Sequence, residues 1–269
     1  MISINTNYGS LFASKSAGAA QKTMNSAMEK LSSGLRINNA KDDAAGQGIA
    51  TRLSAQIMSL DMASRNASDA QSMIDTAEAA HQEVHAILLR MREIAVQAVN
   101  GTLDAADREA LSEEVNALET EITSIADNTT FAGKNLNTSV AVTFQIGAGN
   151  GDELDVTFKD FDAAKLDVDV TVGSEAEAKA AIDDIDDAIS LVSTRRGELG
   201  AFSNRLSSTI ANLDNISVNL ASARGRIQDT DFAQETANLA KNQILQQAAT
   251  AMLAQANASK GTILTLIQG

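Results

Sequence analysis

The stretch SSGLRINNAKDDAAG, from Ser32 to Gly46, interrupts the helical periodicity near the start of the chain. It concentrates Gly, Asn and Asp, which favour turns and helix caps. A partial echo, SARGRIQDTDF, runs from Ser222 to Phe232 near the other end. Each stretch has a Gly shortly before Arg-Ile and acidic residues after it. We therefore expect two similar breaks between helices, one near each terminus.

The composition favours long helices. The 269 residues include no Pro, no Cys and no Trp. An internal Pro costs a helix about 3 kcal/mol, so its absence permits helices of any length. The absence of Cys excludes disulfides and thiolate metal sites. The N-terminus lacks the basic and apolar regions of a secretory signal, and no run approaches the roughly 20 apolar residues of a membrane span.

The net charge of −14 is concentrated in the middle of the chain. Residues 152–187 hold thirteen acidic and three basic side chains, whereas residues 1–46 and 224–269 are slightly basic. Nucleic acids and anionic membranes bind basic surfaces, so the acidic middle argues against both as partners. The nearly neutral ends are the parts that we expect to be buried against something else.

Two heptad patterns predict two long helices. Apolar or small residues recur in steps of three and four from Leu60 to Ala98, which predicts a helix over about 46–99. Asp104 is a suitable N-cap for a following helix that ends near Asn128. After Ser174 the same spacing returns and predicts a long helix to about Ala223.

Two residues in these patterns are polar. Arg196 interrupts the second apolar row, and a salt bridge to the first long helix is the plain interpretation. His81 and His85 form the sequence HQEVH, which lacks the Glu directly after the first His that zinc hydrolases need. With no third ligand evident, packing on the heptad seam is favoured over a metal site.

A period of two predicts a small β insert between the long helices. Apolar residues alternate over 140–146 and 154–158, and Asn150-Gly151 between them is a strong hairpin signal. A further alternation, over 166–172, predicts a third strand. The fold class is mainly α: a long antiparallel helical bundle or coiled coil with a small β-hairpin insert, and terminal helices that pair on polymerisation.

This organisation divides the chain into five parts and brings the two breaks to the same level as paired hinges. The parts are an N-terminal helix and hinge (1–45), the first part of the bundle (46–130), the β insert (131–175), the return helix (176–223), and a hinge with the C-terminal helix (224–269). The predicted hinge residues are Gly34, Arg36, Ile37, Asp42, Asp43, Gly46, Arg224, Arg226, Ile227, Asp229 and Asp231.

The terminal helices have sparse apolar stripes on Ala-, Ser- and Gln-rich backgrounds. Isolated helices of this kind are marginal in water, so we expect the stripes to be buried against other copies of the chain and to fold on assembly. The predicted self-assembly residues are Ile4, Tyr8, Leu11, Met24, Met28, Leu31, Leu239, Ile244, Leu245, Met252, Leu253, Leu264 and Leu266.

The opening stretch, together with SARGRIQDTDFAQETANLAKNQILQQAATAMLAQAN (residues 222–257), resembles bacterial flagellin. The resemblance covers residues 1–130 and 176–269; the middle is shorter than in large flagellins, which carry outer domains there. It implies a structural subunit of the flagellar filament, with no enzyme activity and no cofactor. It also implies export without a cleaved signal peptide, an extracellular location, and an export chaperone, a cap and filament-junction proteins as partners.

A second segment, LLRMREIAVQAVNG from Leu88 to Gly101, resembles the part of flagellin that contacts Toll-like receptor 5. By motif position the receptor-interface residues are Leu89, Arg90, Glu93, Ile94, Gln97 and Glu114. Flagellins more often have Gln at the position of Leu89 and Leu at that of Ile94. A filament-junction (hook-associated) protein stays open as an alternative, as does a signalling coiled coil, although the latter would not place strands between its long helices.

Overall fold

The computed structural model describes residues 6–137, Ser139 and residues 141–268, with the backbone alone for 263–268. The elements follow the order α1 (Tyr8–Ser33), α2 (Ala44–Ala98), α3 (Ala105–Asn128), β1 (Thr130–Phe131), β2 (Lys134–Asn135), β3 (Ala141–Gln145), β4 (Glu153–Thr157), α4 (Ala163–Leu166), α5 (Glu175–Gln228) and α6 (Phe232–Gln268). They form two compact units: unit 1, Met1–Ala55 with Asn219–Gly269, and unit 2, Gln56–Val218.

Unit 2 is built on two apolar clusters between α2 and α5. The first joins the C-terminal half of α2 to α3, α4 and the start of α5, with Leu88, Ile122 and Ile185 fully buried. The second joins Ile74 of α2 and Leu206 of α5 to strand β4. The heptad positions predicted on α2 from Ala67 to Ala98 are buried, because a 3.5-residue spacing keeps them on one helix face.

Helix ends follow the predicted capping chemistry. The side chain of Asp104 accepts a hydrogen bond from the Asp107 N–H (2.9 Å), and the Asp107 side chain accepts one from the Asp104 N–H (3.3 Å), which completes a capping box at α3. Ser174 Oγ accepts from the Glu177 N–H at 3.2 Å at the start of α5. Helix α2 begins two residues earlier than predicted, at Ala44.

Helix α5 continues five residues past the predicted end at Ala223. Arg224, Arg226 and Ile227, which the sequence assigns to a hinge, therefore lie in its last turns, and only residues 229–231 separate α5 from α6. Gly225 is the one poor helix former in this stretch. Its cost of about 1 kcal/mol is tolerated inside a long cooperative helix.

The predicted hairpin is present. Strands β3 and β4 pair antiparallel, with Val142 opposite Val156, and Gly151 in the turn has φ of +95°, which a side chain would strain. Val140, counted in the first alternating run, lies outside the described residues. A second, very short pair, β1 with β2, was not predicted from the sequence.

The predicted third strand over 166–172 is wrong. Residues 163–166 form the short helix α4, and residues 167–173 are irregular and pair with no strand among the described residues. The alternation is nevertheless real, since Val168, Val170 and Val172 are buried in the first cluster. Alternating apolar residues indicate that one side of a segment is buried, whereas a strand also needs a partner for its backbone hydrogen bonds.

Candidate functional site

The two terminal helices, α1 and α6, pack along each other within unit 1. Ala13, Ala20 and Ala27 of α1 are buried at a seven-residue spacing, as are Asn242 and Ala249 of α6. Small residues at these positions let two helices approach closely. Alanines thus pair the two helices within one chain, and the expectation that their larger apolar residues are buried against other copies stays a prediction.

Polar contacts join the same two helices along their length. Asn7 Nδ2 donates to the carbonyl of Ala256 at 3.0 Å, and the side-chain amides of Gln246 and Gln21 are hydrogen-bonded. Lys30 Nζ lies 3.8 Å from Glu235 Oε1. These contacts fix the register of α1 against α6 from end to end.

Many of the large apolar side chains of the terminal helices are exposed in the single chain. The most exposed of the predicted self-assembly residues are Tyr8 (69%), Leu11 (66%), Met28 (45%), Ile244 (65%), Leu245 (47%) and Met252 (64%). The partly buried ones are Met24, Leu31, Leu239 and Leu253. Ile4 lies outside the described residues, as do the side chains of Leu264 and Leu266.

Sequence reasoning missed two members of this exposed set. Phe12 (75% exposed) and Phe232 (57% exposed) are large and apolar, and neither was predicted. Phe12 directly follows Leu11, which the predicted apolar stripe of α1 already contained, so the stripe did not include Phe12. An exposed apolar set of this extent on paired helices is a surface that a partner can cover.

The two predicted hinges lie side by side. The Arg36 N–H donates to the Gln228 carbonyl at 2.7 Å, and the Thr230 N–H donates to the Gly34 carbonyl at 3.0 Å. Gly34 caps α1 in the left-handed conformation, with φ of 72°. The similarity of the two stretches thus corresponds to a short antiparallel pairing between them.

Each hinge also contains an Asp that starts the next helix. Asp43 Oδ1 accepts from the Gly46 N–H at 2.9 Å at the start of α2, and Asp231 Oδ1 accepts from the Ala233 N–H at 2.9 Å at the start of α6. Asp42 instead closes its own loop by accepting from the Asn38 and Asn39 N–H groups.

The remaining hinge residues divide into packed and peripheral ones. Ile37 is 1% exposed and anchors the first hinge. Arg224 donates to Ser54 Oγ at 3.2 Å, whereas Arg226 is exposed. The Asp229 N–H donates to the Gly225 carbonyl at 2.8 Å, which ends α5.

The segment predicted to meet a receptor forms a charged surface on unit 2. Arg90 Nη2 lies 2.8 Å from Glu114 Oε1 of α3, and Arg90 Nη1 lies 3.0 Å from Glu93 Oε2. Hydrogen bonds to Glu114 and then Glu93 raise the pKa of Arg90. Leu89 and Gln97 are exposed beside this group.

Ile94 was wrongly assigned to this surface. It is 1% exposed and belongs to the first cluster. Helix α3 covers a second face of α2, which widens the buried side of α2 beyond the heptad seam. Ile94 therefore supports the backbone beneath Arg90 rather than lying on the surface.

His81 and Arg196 occupy the structural roles that the sequence favoured. His81 is 3% exposed, its ring lies 4.4 Å from that of Phe161, and its Nδ1 is 2.8 Å from the Ala77 carbonyl. Burial lowers the pKa of His81. Arg196 forms the predicted salt bridge to Glu78 of α2.

No three His, Asp or Glu side chains in the described part of the chain are grouped so as to hold a metal ion. Within the described ranges, none of the helices combines the length and apolarity that crossing a membrane requires. The surfaces considered below are the apolar faces of α1 and α6, the paired hinges and the Arg90 group.

Comparisons with known proteins bear on these surfaces. Two family models match: the bacterial flagellin N-terminal helical region over residues 4–139 and the bacterial flagellin C-terminal helical region over residues 182–267. Flagellin of Halalkalibacterium halodurans is 46% identical, covering 98% of this chain and 99% of its own length. Flagellin of Bacillus subtilis is 41% identical, covering 95% of each chain.

Solved structures show the same likeness. Bacillus cereus flagellin matches with a TM-score of 0.52 at 31% identity, covering 60% of this chain and 94% of that one. A chain described as a flagellar hook-associated protein of Vibrio parahaemolyticus matches with a TM-score of 0.61, covering 70% of this chain and 100% of that one. Its identity is 16%, so it shares the fold alone.

Proposed function

This chain belongs to the bacterial flagellin family, whose members are structural subunits of the flagellar filament, and from that premise we propose that it polymerises through the exposed apolar faces of α1 and α6. Homologues at 46% and 41% identity are flagellins, so the junction-protein and signalling alternatives are not favoured.

The observation that carries the proposal is the exposed apolar set on the terminal helices. Its members are Tyr8, Leu11, Phe12, Met28, Phe232, Ile244, Leu245 and Met252, each between 45% and 75% exposed. Complete burial of a large apolar side chain contributes about 1.5–3 kcal/mol. Burial of this set against neighbouring copies would contribute roughly 10 kcal/mol per subunit before the entropy cost of association.

The α1–α6 pairing supports this role because it holds together the two helices that carry the exposed set. Alanines at the contact keep the two helices close, so side chains from both helices can contact the same neighbour. The hydrogen bonds between the hinges join the end of α1 to the end of α5, and Asp43 and Asp231 cap the helices that follow.

A pair of identical substitutions tests the assembly surface. Leu245→Gln on α6 should stop or strongly slow filament growth, because it places an amide where a neighbour must bury a side chain. Leu191→Gln on α5 is the matched control, since Leu191 is 38% exposed against 47% for Leu245. Electron microscopy and sedimentation would measure filaments, and circular dichroism would confirm that each variant remains helical.

The outcomes test the proposed assembly surface and the filament role separately. Loss of filaments in the Leu191→Gln variant with normal growth of the Leu245→Gln variant would contradict the proposed surface. Failure of the unaltered chain to form filaments, in a strain that depends on it for swimming, would contradict the filament role itself.

We propose an export chaperone, a cap and junction proteins as partners of the same surface. An apolar face on α6 needs cover before polymerisation, which suits an export chaperone, and growth at a filament end suits a cap and junction proteins. We also propose export without a cleaved signal peptide. Intact-mass measurement of protein sheared from cells would test this, because a shortened N-terminus contradicts it.

Recognition by Toll-like receptor 5 is a second proposed property, supported by the Arg90 group. Two carboxylates, those of Glu93 and Glu114, hold the Arg90 guanidinium in one exposed position. A planar donor fixed in this way is a frequent centre of binding energy in interfaces. Leu89 and Gln97 complete the surface, with Ile94 beneath it.

A further inference from the structure

The chain contains two Asn-Gly dipeptides, Asn100-Gly101 and Asn150-Gly151. All four residues are exposed. An Asn followed by Gly is chemically vulnerable, because a backbone nitrogen without a neighbouring Cβ can approach the carboxamide carbon of the preceding side chain. Both dipeptides are exposed, so we compare the restraints that the fold places on each Asn.

Asn100, between α2 and α3, is held from several directions. Its Oδ1 accepts from the Thr102 N–H at 3.2 Å, and its N–H donates to the Gln97 carbonyl at 3.1 Å. Its own carbonyl accepts from the Leu103 N–H at 3.2 Å and from Arg108 Nη2 at 3.1 Å. The side chain must leave Thr102 before its Cγ can turn towards the Gly101 nitrogen.

Arg108 fixes the whole of this loop. Its Nε donates to the Ala98 carbonyl and its Nη1 to the Leu103 carbonyl, both at 3.0 Å. One guanidinium thus binds three carbonyls around Asn100. Opening of the loop therefore requires several hydrogen bonds to break together.

Asn150, in the β3–β4 turn, has no such restraint. Among the described residues, the hydrogen bonds of the turn join its neighbours: the Ile146 N–H donates to the Asp152 carbonyl at 2.9 Å, the Asp152 N–H to the Gly149 carbonyl at 3.4 Å, and the Gly149 N–H to Asp152 Oδ2 at 2.8 Å. In the same described part of the chain, neither the Asn150 side chain nor the Gly151 N–H has a hydrogen-bond partner. Gly151, at φ of +95°, is the residue that this turn requires, so the vulnerable dipeptide follows from the fold.

We propose that Asn150 is a self-modification site at which the chain deamidates, while Asn100 stays protected. The Gly151 nitrogen loses its proton to solvent base and forms a bond to Asn150 Cγ. The carbon–nitrogen bond of the carboxamide then breaks and ammonia leaves, which closes a five-membered succinimide. Water opens this ring at either carbonyl and gives aspartate or isoaspartate, so one water is consumed, one ammonia is released and nothing is oxidised or reduced.

The product changes the turn in two ways. Either acid adds a negative charge beside Asp152 and Glu153, in the most acidic part of the chain. Isoaspartate also routes the backbone through the side chain and lengthens it by one carbon. The β3–β4 register depends on the length of this turn, so isoaspartate alters it, whereas aspartate does not.

Ageing the full-length protein in mildly alkaline buffer tests the proposal. Trypsin then releases residues 135–159 and 93–108 as separate peptides, each with one Asn-Gly. Mass spectrometry should find a gain of about 1 Da, located to Asn150 by fragmentation, in the first peptide. The gain at Asn100 should be slower by about tenfold or more, the effect of one or two hydrogen bonds that must open first.

Three controls make each outcome informative. In denaturant the two sites should react at similar rates, because the difference comes from the fold. Arg108→Ala should accelerate the reaction at Asn100 and leave Asn150 unchanged, with circular dichroism to confirm the fold. Asn150→Gln should abolish the gain at position 150. Equal rates in the folded protein, faster reaction at Asn100, or a preference that persists in denaturant would each overturn the proposal.

Discussion

Arg196 of α5 donates from both Nε (3.0 Å) and Nη2 (2.6 Å) to the same carboxylate oxygen, Glu78 Oε1 of α2. The two side chains are 32% and 35% exposed, so the pair lies at the margin of the core rather than in open solvent. The pair therefore joins α2 to α5 at the one charged position in the predicted apolar row of α5.

We expect this pair to stabilise unit 2 measurably. A double-mutant cycle with Glu78→Gln and Arg196→Gln should give a coupling free energy of about 1 kcal/mol, since partial burial limits screening by water. The exposed pair Lys179–Glu175 on α5 is the control and should show no coupling above experimental error. Urea unfolding would measure both cycles, and equal coupling in the two would contradict this role.

His81 should make the stability of unit 2 depend on pH. Burial is the largest cause of its lowered pKa; the Ala77 hydrogen bond and Glu78 oppose it, and Arg195 and Arg196 add to it. The folded state therefore disfavours the proton. Above the ordinary value of 6.5 both states are neutral and nothing is lost, whereas below it the unfolded state gains the proton first.

The free energy of unfolding should thus fall as the pH drops below about 6.5, until the pH lies below the lowered pKa of the folded state. Carboxylates also titrate in acid, so the measurement is the difference between the unaltered chain and His81→Leu across that range. His85→Gln, on the same helix, should keep the slope because His81 remains. A slope that is unchanged in His81→Leu would refute the assignment.

Two glycines in the first turns of α2 should respond oppositely to alanine. A Cβ at Gly46 would lie 2.5 Å from Asp43 Oδ2 and 2.8 Å from Ile37 Cδ1, whereas a Cβ at Gly48 would meet nothing within 4 Å. Asp43 is fixed by its bond to the Gly46 N–H, and Ile37 is buried. Gly46→Ala should therefore destabilise the hinge by about 1–3 kcal/mol through overpacking.

Gly48→Ala should stabilise the same turn by about 0.5–1 kcal/mol, because alanine loses less entropy in a helix. Amide hydrogen exchange at the start of α2 would measure both variants. Protection that rises in both would show that the loop around Ile37 yields to the added methyl group.

The sequence was sufficient for elements whose signals are local. The α2 and α5 seams, the Asp104 cap and the Asn150-Gly151 turn depend on residues a few positions apart, and each was predicted. Partners distant in sequence were the source of error. Val168, Val170 and Val172 alternate because the helices of the core bury one side of them, and the sequence does not reveal that none of the described strands pairs with them.

The same limit explains two features of the candidate site that the sequence did not predict. Ile94 is buried because α3 packs on α2. The heptad pattern concerns the contact between the two long helices and does not predict contacts with α3. The terminal helices pair through Ala13, Ala20 and Ala27, which are too small to register as an apolar stripe. In both cases the residue type is compatible with either a surface or a core position, and the helix that packs against the residue determines which of the two it occupies.

Arg90 and Arg92 provide the sharpest test of the receptor surface. Their side chains on α2 are 53% and 43% exposed, but Arg90 binds Glu93 and Glu114, whereas Arg92 binds Asp186 of α5. Because the two guanidinium groups are held against different helices, a partner that contacts the α2–α3 side meets Arg90 and not Arg92.

Arg90→Ala should therefore sharply reduce the response of cells that carry Toll-like receptor 5, and Arg92→Ala should leave it close to normal. Purified, unpolymerised protein on reporter cells would measure the response over a range of concentrations, with circular dichroism to show that both variants fold. Equal loss in the two variants would point to a general disturbance of α2, and full activity of Arg90→Ala would remove Arg90 from the interface.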